Sequence, residues 1–531
     1  MRGADGEPDR ALTAAQRTSR ARIDEWDPIE GHPARHQVLA IMCVCLVIVV
    51  IAVASLNVAI PTILTDLRPS DSQLLWIIDA YGLLFAGLLL LAGAIGDRFG
   101  RKPTVMAGLG VFGVAALAAS FATGPTMLIA CRAAMGAGAA FVMPATLSIV
   151  TSVFPPGERP KAIATWAAFA GAGSALGPVL GGFTVEHFGW SSVFLVNLPI
   201  VAVALVLIAL WVPNSRDTEQ RRLDVSGAVL SVIALCGLLF GIIQGPEEGW
   251  GSPVVLGSFG VAVLFGALFV VWELHVDEPM LDPRFLRIPA FRAGSGVITM
   301  LFFALFGMFF MITQYLQFVK GYSALVAGLC TAPNAAVTLL VTPRSPALVA
   351  RFGARRVVTA GMALLAASMA LYTQLTPQSP YWWVALALVV GATGMSIAMA
   401  PATIAIVSSL PMSKAGVGSA VNDVTREVGG ALGIAVLGTV LVSRFTSSMD
   451  RLMPDAVPDQ LRAASRTSIN GAIAVAGKLP VDAGRQLLDA ARVAFTEAMS
   501  SAFVVSAVLL VVMAVVAHRA VPETRDLHVR H

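Results

Sequence analysis

The stretch GAIGDRFGRKP, residues 93–103, lies between two long apolar segments of the chain. Four leucines at 88–91 precede it, and the sequence becomes apolar again from Val105. The stretch contains three glycines and four charged side chains, among which Asp97 is the only acid. A connection that only joins two apolar segments needs neither the three glycines nor the acidic side chain. Residues 93–103 therefore indicate a short connection with a task of its own.

The chain has 531 residues, of which 56% are hydrophobic and only 13% are charged. Soluble domains carry about 25% charged residues, and a soluble chain of this length would divide into several domains that each need a polar surface. The polar residues here are too few for that. The composition therefore excludes an ordinary soluble protein and indicates a membrane protein.

Apolar segments of about 18 or more residues are long enough to cross the core of a bilayer as helices. Lipid offers no hydrogen-bond partner to the backbone, so each such segment is predicted to be helical. The segment 417–443 is the weakest of them, because its first half contains Asn422, Asp423, Arg426 and Glu427. Fourteen segments meet the criterion: 39–61, 74–96, 104–123, 125–150, 162–185, 190–212, 223–243, 253–274, 293–319, 324–343, 357–376, 381–408, 417–443 and 500–518.

Residues 1–38 are polar and lack the apolar region of a signal peptide, so they are predicted to be a disordered cytoplasmic tail. With this end in the cytoplasm, the connections on the same side carry most of the basic residues, as the positive-inside rule requires, and 519–531 form a second cytoplasmic tail. The outer connection 444–499 carries seven basic residues, but long translocated segments tolerate charge. Its Ala-rich stretches, 459–474 and 483–499, predict a short amphipathic hairpin on the outer surface.

Two sequence motifs occur twice. RFGRK at 98–102 returns as RFGARR at 351–356, an offset of 253, and AGSALGPVLGG at 172–182 returns as VGGALGIAVLG at 428–438, an offset of 256. Both offsets correspond to a shift of eight segments, and two related halves with a site between them are typical of transporters. The predicted order is a six-helix bundle in 39–212, two extra helices with linkers in 213–290, and a second six-helix bundle in 291–518.

Several motifs together carry a resemblance to a known family. GAIGDRFGRKP resembles the cytoplasmic signature loop of the major facilitator superfamily, LIACRAAMGAGAA (128–140) its fourth-helix motif, and GAGSALGPVLGG (171–182) its antiporter motif. Fourteen spans, LNVAIPTI (56–63), LLWIIDAYGLLFAGLLL (74–90) and AGVGSAVNDVTREVGGALG (415–433) resemble the drug:proton antiporter-2 family. The resemblance implies an all-α membrane protein with the major facilitator fold and 14 transmembrane helices (6+2+6), in the bacterial inner membrane with both termini in the cytoplasm.

The opening stretch is interpreted as a gating motif. Its glycines allow close backbone approach or a tight turn, and Asp97 can pair with Arg101 or cap a helix N-terminus on another segment. Such a contact would hold the two halves together on the cytoplasmic side in one conformation and break in the other. Arg98 and Lys102 also fit a simple topology anchor. The motif residues are Gly93, Gly96, Asp97, Arg98, Gly100, Arg101 and Lys102.

Asp79 and Arg132 are predicted to couple transport to protons. Asp79 lies about five residues into the second segment from the outer side, and an acid in a membrane segment is by default a functional candidate. It can bind a proton in one access state and release it in another. Arg132 lies at a similar depth in the fourth segment and can pair with it. A purely structural polar pair is the alternative.

The antiporter motif of the fifth segment combines small residues with a proline. Pro178 removes a backbone hydrogen bond and is expected to kink the helix, while Ile434 stands at the corresponding place in the second half. The glycines are expected to give a smooth surface for close packing between the halves, and the resemblance implies a role in limiting proton leak. The motif residues are Gly173, Gly177, Pro178, Gly181 and Gly182.

Asp423 and Glu427 are four residues apart and share one helical face. This face either points into a water-filled cavity, where it attracts cationic substrates, or lies in the cytoplasmic loop as a solvated cap. Many relatives carry an acid at the position of Ala52, and its absence weakens the case for dicationic substrates. The predicted lining of a mostly apolar substrate cavity is Asn57, Trp76, Tyr81, Met311, Gln314, Asn334, Asp423 and Glu427.

The predicted function is proton-coupled antiport, with export of lipophilic or cationic drugs or antibiotics by alternating access. A specific metabolite transporter (siderophore, peptide or amino acid) and a non-transporting membrane sensor are the alternatives. No ATP-binding motif is present and no group has metal-ligand spacing, so no cofactor, metal or enzyme activity is predicted. The expected partners are a small-molecule substrate, protons and membrane lipids, with no nucleic acid, and the protein is expected to be a monomer.

Overall fold

The computed structural model describes residues 30–69, 71–215, 224–277, 279–411 and 414–521, and within these ranges every regular element is helical. The predicted all-α fold class is therefore confirmed. Thirteen helices of the described residues are long and apolar enough to cross a membrane. The predicted span 162–185 corresponds to a helix of 30 residues that is not among the thirteen, so the count of fourteen stays a prediction.

The helices are numbered here by the predicted halves. The first half contains α1 (Arg35–Asp66), α2 (Asp71–Phe99), α3 (Arg101–Ser120), α4 (Pro125–Val153), α5 (Arg159–Phe188) and α6 (Ser192–Trp211). The two extra helices are α7 (Val225–Glu248) and α8 (Pro253–His275). The second half contains α9 (Pro289–Gln314), α10 (Val326–Phe352), α11 (Ala354–Tyr372), α12 (Tyr381–Val407), α13 (Ala415–Leu452), the short α14 (Asp459–Thr467) and α15 (Ile469–Ala476), and α16 (Val481–Ala520).

Helix α10 is interrupted rather than continuous. Its pieces are Ala324–Leu329, whose first two residues precede the span, Ala332–Val341, a 3₁₀ turn at Thr342–Arg344, and Ser345–Phe352. Each of the last three pieces has a proline in its first turn, where the missing backbone N–H costs least. The prolines of TAPNAAVTLLVTPRSP therefore set the breaks in this span.

The connection 444–499 is more helical than predicted. Helix α13 continues to Leu452 and α16 begins at Val481, so only residues 453–480 separate them. The stretch 459–474 forms the two short helices α14 and α15. The stretch 483–499, predicted as the second arm of a hairpin, is instead the first part of α16. Ion pairs from Arg451 to Glu497 (3.0 Å) and from Arg466 to Asp450 (2.6 Å) lie on the surface of this region.

The internal repeat is visible in the packing of the glycines. A Cβ built on Gly108 of α3 would lie 2.7 Å from the carbonyl oxygen of Gly138 in α4. In the second half, a Cβ on Gly361 of α11 would lie 2.6 Å from the carbonyl oxygen of Gly394 in α12. The two pairs are separated by 253 and 256 residues, the same offsets as the repeated motifs. The same backbone contact is therefore built once in each half.

The connection between α2 and α3 is repeated between α10 and α11. Gly100 and Gly353 both have positive φ angles, 107° and 85°, which favour glycine. Just after each turn, a basic side chain binds the carbonyl end of the last long helix of its own half. Lys102 Nζ donates to the carbonyl oxygen of Ala209 (2.9 Å), and Arg355 Nε donates to that of Val521 (2.9 Å). The two halves thus share turn geometry and helix termination.

The two bundles meet along two seams. Helices α2 and α4 pack on α13, and α5 packs on α10 and α12. Helix α7 pairs with α8 and also contacts both α2 and α13. The extra pair therefore lies beside the α2–α13 seam and touches both halves.

Candidate functional site

The Asp97 carboxylate binds the N-terminus of α13 in the other half. Its Oδ1 accepts the N–H of Gly416 (3.0 Å) and its Oδ2 accepts the N–H of Val417 (3.1 Å). Arg101 donates to Oδ1 from Nη2 (2.9 Å) and Nε (3.2 Å). Asp97 is 6% exposed and Arg101 3%. An acid at a helix N-terminus satisfies orphan N–H groups and complements the helix dipole, so this contact, which we call the latch, ties α2 to α13.

Close backbone contact makes the latch possible. A Cβ on Gly93 would lie 2.7 Å from the carbonyl oxygen of Gly416, so α2 and α13 touch here through their main chains. A Cβ on Gly96 would meet only Thr104, at an ordinary 3.7 Å. Arg98 is half-buried and lies over the Phe99 ring at 5.1 Å. Within the gating motif, Gly93, Asp97 and Arg101 build the contact between the halves, whereas Gly100 and Lys102 act inside the first half.

Asp79 on α2 and Arg132 on α4 lie within electrostatic range of each other. Asp79 is half-buried and lines a cleft between α2 and α7 with Trp76, Leu83, Phe240, Ile243 and Gln244. Arg132 is fully buried, and its Nε donates to the carbonyl oxygen of Ile77 (3.1 Å). The charges of Asp79 and Arg132 are close enough to interact.

Tyr81 connects this pair to the seam. The Arg132 guanidinium lies over its ring at 4.5 Å, a cation–π geometry. Tyr81 is buried, and it also lies within electrostatic range of Glu427 on α13. Arg132 covers one face of the Tyr81 ring in this conformation, so the place of Tyr81 in a substrate cavity stays a prediction.

The polar residues of α13 form a buried cluster. Asp423 Oδ1 accepts from Asn422 Nδ2 (3.3 Å) and lies 3.7 Å from Arg426 Nη1. Asp423 is 1% exposed, Arg426 is 3% exposed, and Glu427 is half-buried. The alternative of a solvated cap in the cytoplasmic loop is therefore wrong. Asn422 Oδ1, Asp423 Oδ2, and Arg426 Nε and Nη2 have no hydrogen-bond partner among the described residues.

The depth of this cluster follows from helix geometry. Asp423 and Glu427 are 8 and 12 residues beyond Ala415, the first residue of α13. At about 1.5 Å per residue, they lie roughly 12 and 18 Å along the helix. A bilayer core is about 30 Å thick. The cluster therefore lies well inside a helix that is long and apolar enough to cross a membrane.

Arg426 joins the two halves. Its guanidinium lies 5.1 Å from the Trp166 ring of α5 and 5.2 Å from the Phe302 ring of α9. Trp166 is fully buried, and its Nε1 donates to Thr146 Oγ1 (3.2 Å). The planar guanidinium suits such a position, since it stacks on aromatic faces and remains charged. Trp166 and Phe302 were not predicted, because the packing of three separate segments brings them close to Arg426. The only signal in the sequence was a charged residue, Arg426, inside an apolar span.

The other predicted cavity residues are not gathered in one place. Trp76 lies in the Asp79 cleft, and Met311 is fully buried in the core. Gln314 donates from Nε2 to the carbonyl oxygen of Phe310 (3.1 Å), and Asn334 is half-buried in α10. The side chains of Asn57 and Pro178 lie outside the described residues. The backbone of Pro178 is within the helix α5.

The glycines of the antiporter motif pack inside the first half, which corrects the prediction that they pack between the halves. Cβ atoms on Gly173, Gly177 and Gly181 would run into Val50, Ala54 and Ser55 of α1, while one on Gly182 would lie 3.8 Å from Val58. On α13, Cβ atoms on Gly429 and Gly433 would run into the backbone of Thr299 and Phe303 of α9. The motif therefore packs α5 against α1 in the first half, and its repeat packs α13 against α9 in the second half.

Comparisons with known proteins agree with this architecture. The family model described as Major Facilitator Superfamily matches residues 42–434. The chain is similar to the multidrug efflux pump LfrA of Mycolicibacterium smegmatis, with 33% identity over 496 residues, covering 92% of this chain and 98% of LfrA. It is 35% identical to the methyl viologen resistance protein SmvA of Salmonella typhimurium, covering 90% and 97%. It is 32% identical to the tetracenomycin C resistance and export protein of Streptomyces glaucescens, covering 91% and 92%.

Solved structures show the same fold at low identity. The human organic anion transporter MFSD10 aligns with a TM-score of 0.61 at 15% identity, covering 90% of this chain and all of that one. The proton:xylose symporter XylE aligns with a TM-score of 0.58 at 14% identity, covering 92% and 96%. These likenesses concern the fold alone.

Proposed function

The chain belongs to the major facilitator superfamily, and from this premise we propose that it is a proton-coupled antiporter that exports lipophilic or cationic drugs or antibiotics. It is a multi-pass membrane protein. The proposal places it in the bacterial inner membrane, with both termini in the cytoplasm. The printed names of its relatives support this substrate class, since they are efflux, resistance and export proteins.

The observation that carries the proposal is the buried charge cluster on α13. A cluster with open hydrogen-bonding capacity inside a membrane span costs free energy, and a purely structural helix contact does not need it. Arg426 contacts an aromatic ring from each half. A change in the relative position of the halves must therefore change the surroundings of Arg426 and its acidic neighbours.

The latch supplies the conformational step. In this structure α2 is bound to α13 by Asp97 and by the Gly93–Gly416 contact, so the seam is closed at this end. Opening toward the cytoplasm requires the carboxylate to leave the first N–H groups of α13. Because the contact is local and charge-assisted, it can hold one conformation and break in the other without unfolding either helix.

Asp79 is proposed as the proton carrier. When Asp79 binds a proton, the negative charge beside Arg132 disappears. The electrostatic attraction between α2 and Arg132 of α4 then weakens, which changes the packing of two helices that both contact α13. One proton that crosses about 150 mV releases about 3.5 kcal/mol. That free energy supports a drug gradient of about 300-fold.

The cleft of Asp79 has a volume of only about 10 Å³ in this conformation, so a lipophilic cation would enter it only after α2 and α7 move apart. Trp76 and Phe240 line it with ring centroids 5.8 Å apart. Aromatic faces attract cations, and the nearby acid adds charge complementarity. Proton and drug would then compete for the same carboxylate, which gives antiport without a separate coupling element.

Dye efflux from energised membrane vesicles tests the proposal. Wild type is expected to export a cationic dye, and an uncoupler is expected to abolish the export. Asp79→Asn should lose energised efflux and keep passive dye exchange, because only the proton step is removed. Asp66→Asn, at the exposed outer end of α1, is the matched control and should behave as wild type. Normal energised efflux by Asp79→Asn would show that Asp79 does not carry the proton.

A further inference from the structure

Two carboxyl groups meet at the end of the α7–α8 pair, outside the sites described above. Asp224 caps the first turn of α7, and Glu273 lies two residues before the end of α8. Both are buried, and Glu273 is only 2% exposed. The pair is electrostatically coupled to Lys414, the residue before α13.

The hydrogen bonds of Asp224 are those of an ionised carboxylate. Its Oδ1 accepts the N–H of Gly227 (2.8 Å). The indole Nε1 of Trp272 donates to Oδ1 (2.9 Å) and Oδ2 (3.1 Å). All of these partners are donors, so Asp224 needs no proton of its own.

Glu273 is different. Its Oε2 accepts the N–H of Leu281 (3.3 Å), but its Oε1 has no hydrogen-bond partner among the described residues. A Cβ on Gly227 would run into both Glu273 Oε1 and Asp224 Oδ2. The two oxygens therefore face each other at close range over a residue that has no side chain. Two ionised carboxylates repel strongly in such a place, and one shared proton removes the repulsion.

We propose that Asp224 and Glu273 form a proton-binding site in which Glu273 Oε1 carries the proton and donates it to Asp224 Oδ2. Proton binding forms the O–H bond of Glu273, and release returns the proton to water, with no other bond changed. The inference rests on the proposed function only where it assigns this proton to the transport cycle. The binding itself is a property of the two carboxyl groups.

The site is connected to the latch. Glu273 holds the backbone at Leu281, and Lys414 Nζ donates to the carbonyl oxygen of Pro279 (2.6 Å). Residues 279–281 therefore form a strap between α8 and the start of α13. Lys414 is two residues before Gly416, whose N–H binds Asp97. Loss of the proton places a second negative charge beside Lys414, draws it from the strap toward Glu273, and shifts the N-terminus of α13 away from the latch.

Other charged groups near the site are engaged elsewhere. Asp282 and Arg284, which follow the strap, pair with each other at 4.0 Å. His275 on α8 is exposed, and its Nδ1 lies 2.7 Å from the carbonyl oxygen of Val271. Asp224 and Lys414 are thus the ionisable groups that act on Glu273.

The test measures the distance between the halves on the latch side as pH is varied. Spin labels are attached to cysteines introduced at the exposed residues Lys161 and Arg356 of the purified full-length protein, and a sample without these cysteines corrects for labelling of the native ones. In wild type the distance distribution should lengthen as pH rises. Glu273→Gln keeps an amide donor toward Asp224 and should hold the short distance at every pH. Glu248→Gln, at the exposed far end of α7, should follow wild type.

A pH response of Glu273→Gln identical to that of wild type would overturn the proposal. Asp224→Asn should also lose the pH-dependent change in distance. This second variant tests the proton site if Glu273→Gln does not fold. The infrared carbonyl band of a protonated carboxylic acid should be present in wild type and smaller in Glu273→Gln, and an unchanged band would equally overturn it. If wild type shows no proton-driven export but Glu273→Gln still loses the pH response, the proposed function fails and the proton site stands.

Discussion

Asp97 accepts the backbone N–H of Gly416 at 3.0 Å, although 319 residues separate them in the chain. The cap of α13 is therefore provided by the other half of the molecule. Helix N-termini are normally capped by the residue just before them, and here Lys414 makes no such side-chain cap. The start of α13 thus depends on the halves being together.

Asp97→Asn is predicted to weaken the latch. The substitution keeps one acceptor oxygen but removes the charge that faces Arg101 and the helix N-terminus. Hydrogen bonds to charged groups are worth about 1.5–3 kcal/mol, so the closed conformation should lose at least about tenfold in population. The distance between spin labels at Lys161 and Arg356 should lengthen at neutral pH.

The matched control for this variant is Asp450→Asn. Asp450 also pairs with an arginine, Arg466, but both side chains are nearly half exposed. Exposed pairs contribute little, so the distance distribution should not change. Equal distributions for Asp97→Asn and wild type would show that the latch does not hold the seam.

Gly93→Ala is predicted to separate α2 from α13. The new methyl group would lie 2.7 Å from a backbone oxygen of Gly416, which cannot rotate away. Overpacking of this kind costs about 1–3 kcal/mol, so the melting temperature should fall and the seam should open. Gly110→Ala in α3 is the control, because no atom lies within 4 Å of its new methyl group. Gly110→Ala should be as stable as wild type or slightly more stable. A similar fall in melting temperature in both variants would show that the contact between Gly93 and Gly416 is not the cause.

Arg426→Lys is predicted to slow transport while preserving charge. An ammonium group cannot stack on Trp166 and Phe302 together, and a buried cation–π contact is worth about 2 kcal/mol. The initial rate of energised dye efflux should fall about tenfold or more. Arg351→Lys, which changes an exposed arginine over Phe352 at 5.2 Å, should leave the rate unchanged. A wild-type rate for Arg426→Lys would remove Arg426 from the mechanism.

The pair of Glu158 with Arg35 predicts a pH dependence of stability. Hydrogen bonds from Arg35, at 2.8 and 3.1 Å, hold the pKa of Glu158 below its usual range. A carboxylate whose pKa is lowered by folding stabilises the folded state above its ordinary pKa of about 4.3 and loses this effect as pH falls through the folded value. Melting temperatures of wild type and Glu158→Gln should therefore differ slightly at neutral pH and converge in acid.

Salt provides the check on this pair. Because the Glu158 side chain is 43% exposed, salt screens the pair, and the difference in melting temperature at neutral pH should shrink as ionic strength rises. Glu186→Gln, at the exposed other end of α5, should show neither dependence. A difference that persists in acid would mean that packing, and not charge, separates the two proteins.

The sequence predicts the fold well because the fold depends on local and repeated features. The sequence itself contains these features: the lengths of the apolar spans, the two motif offsets, and the repeated glycines Gly100 and Gly353. The breaks in α10 were missed, although Pro333, Pro343 and Pro346 are strong local signals. The extension of α13 to Leu452 was missed because hydropathy ends a span where the chain leaves lipid, and a helix can continue into water.

The sites were predicted less completely, since they depend on packing between distant segments. Asp97 was recognised as a capping residue, but its partner on α13 was not identified. Glu273 was not singled out in the sequence, because its contact with Asp224 depends on the pairing of α7 with α8. The predicted packing partner of Gly177 and Gly181 was wrong. Small residues predict a close helix contact, but they do not specify which helix makes it.

The central claim is that drug moves outward in exchange for protons that move inward through Asp79. Purified protein in liposomes that contain a pH indicator tests it directly when a gradient of a cationic drug is imposed without a membrane potential. The account predicts that drug flux drives protons in the opposite direction in wild type, and that Asp79→Asn moves drug without proton movement. Drug flux in wild type that is not accompanied by any pH change would contradict it.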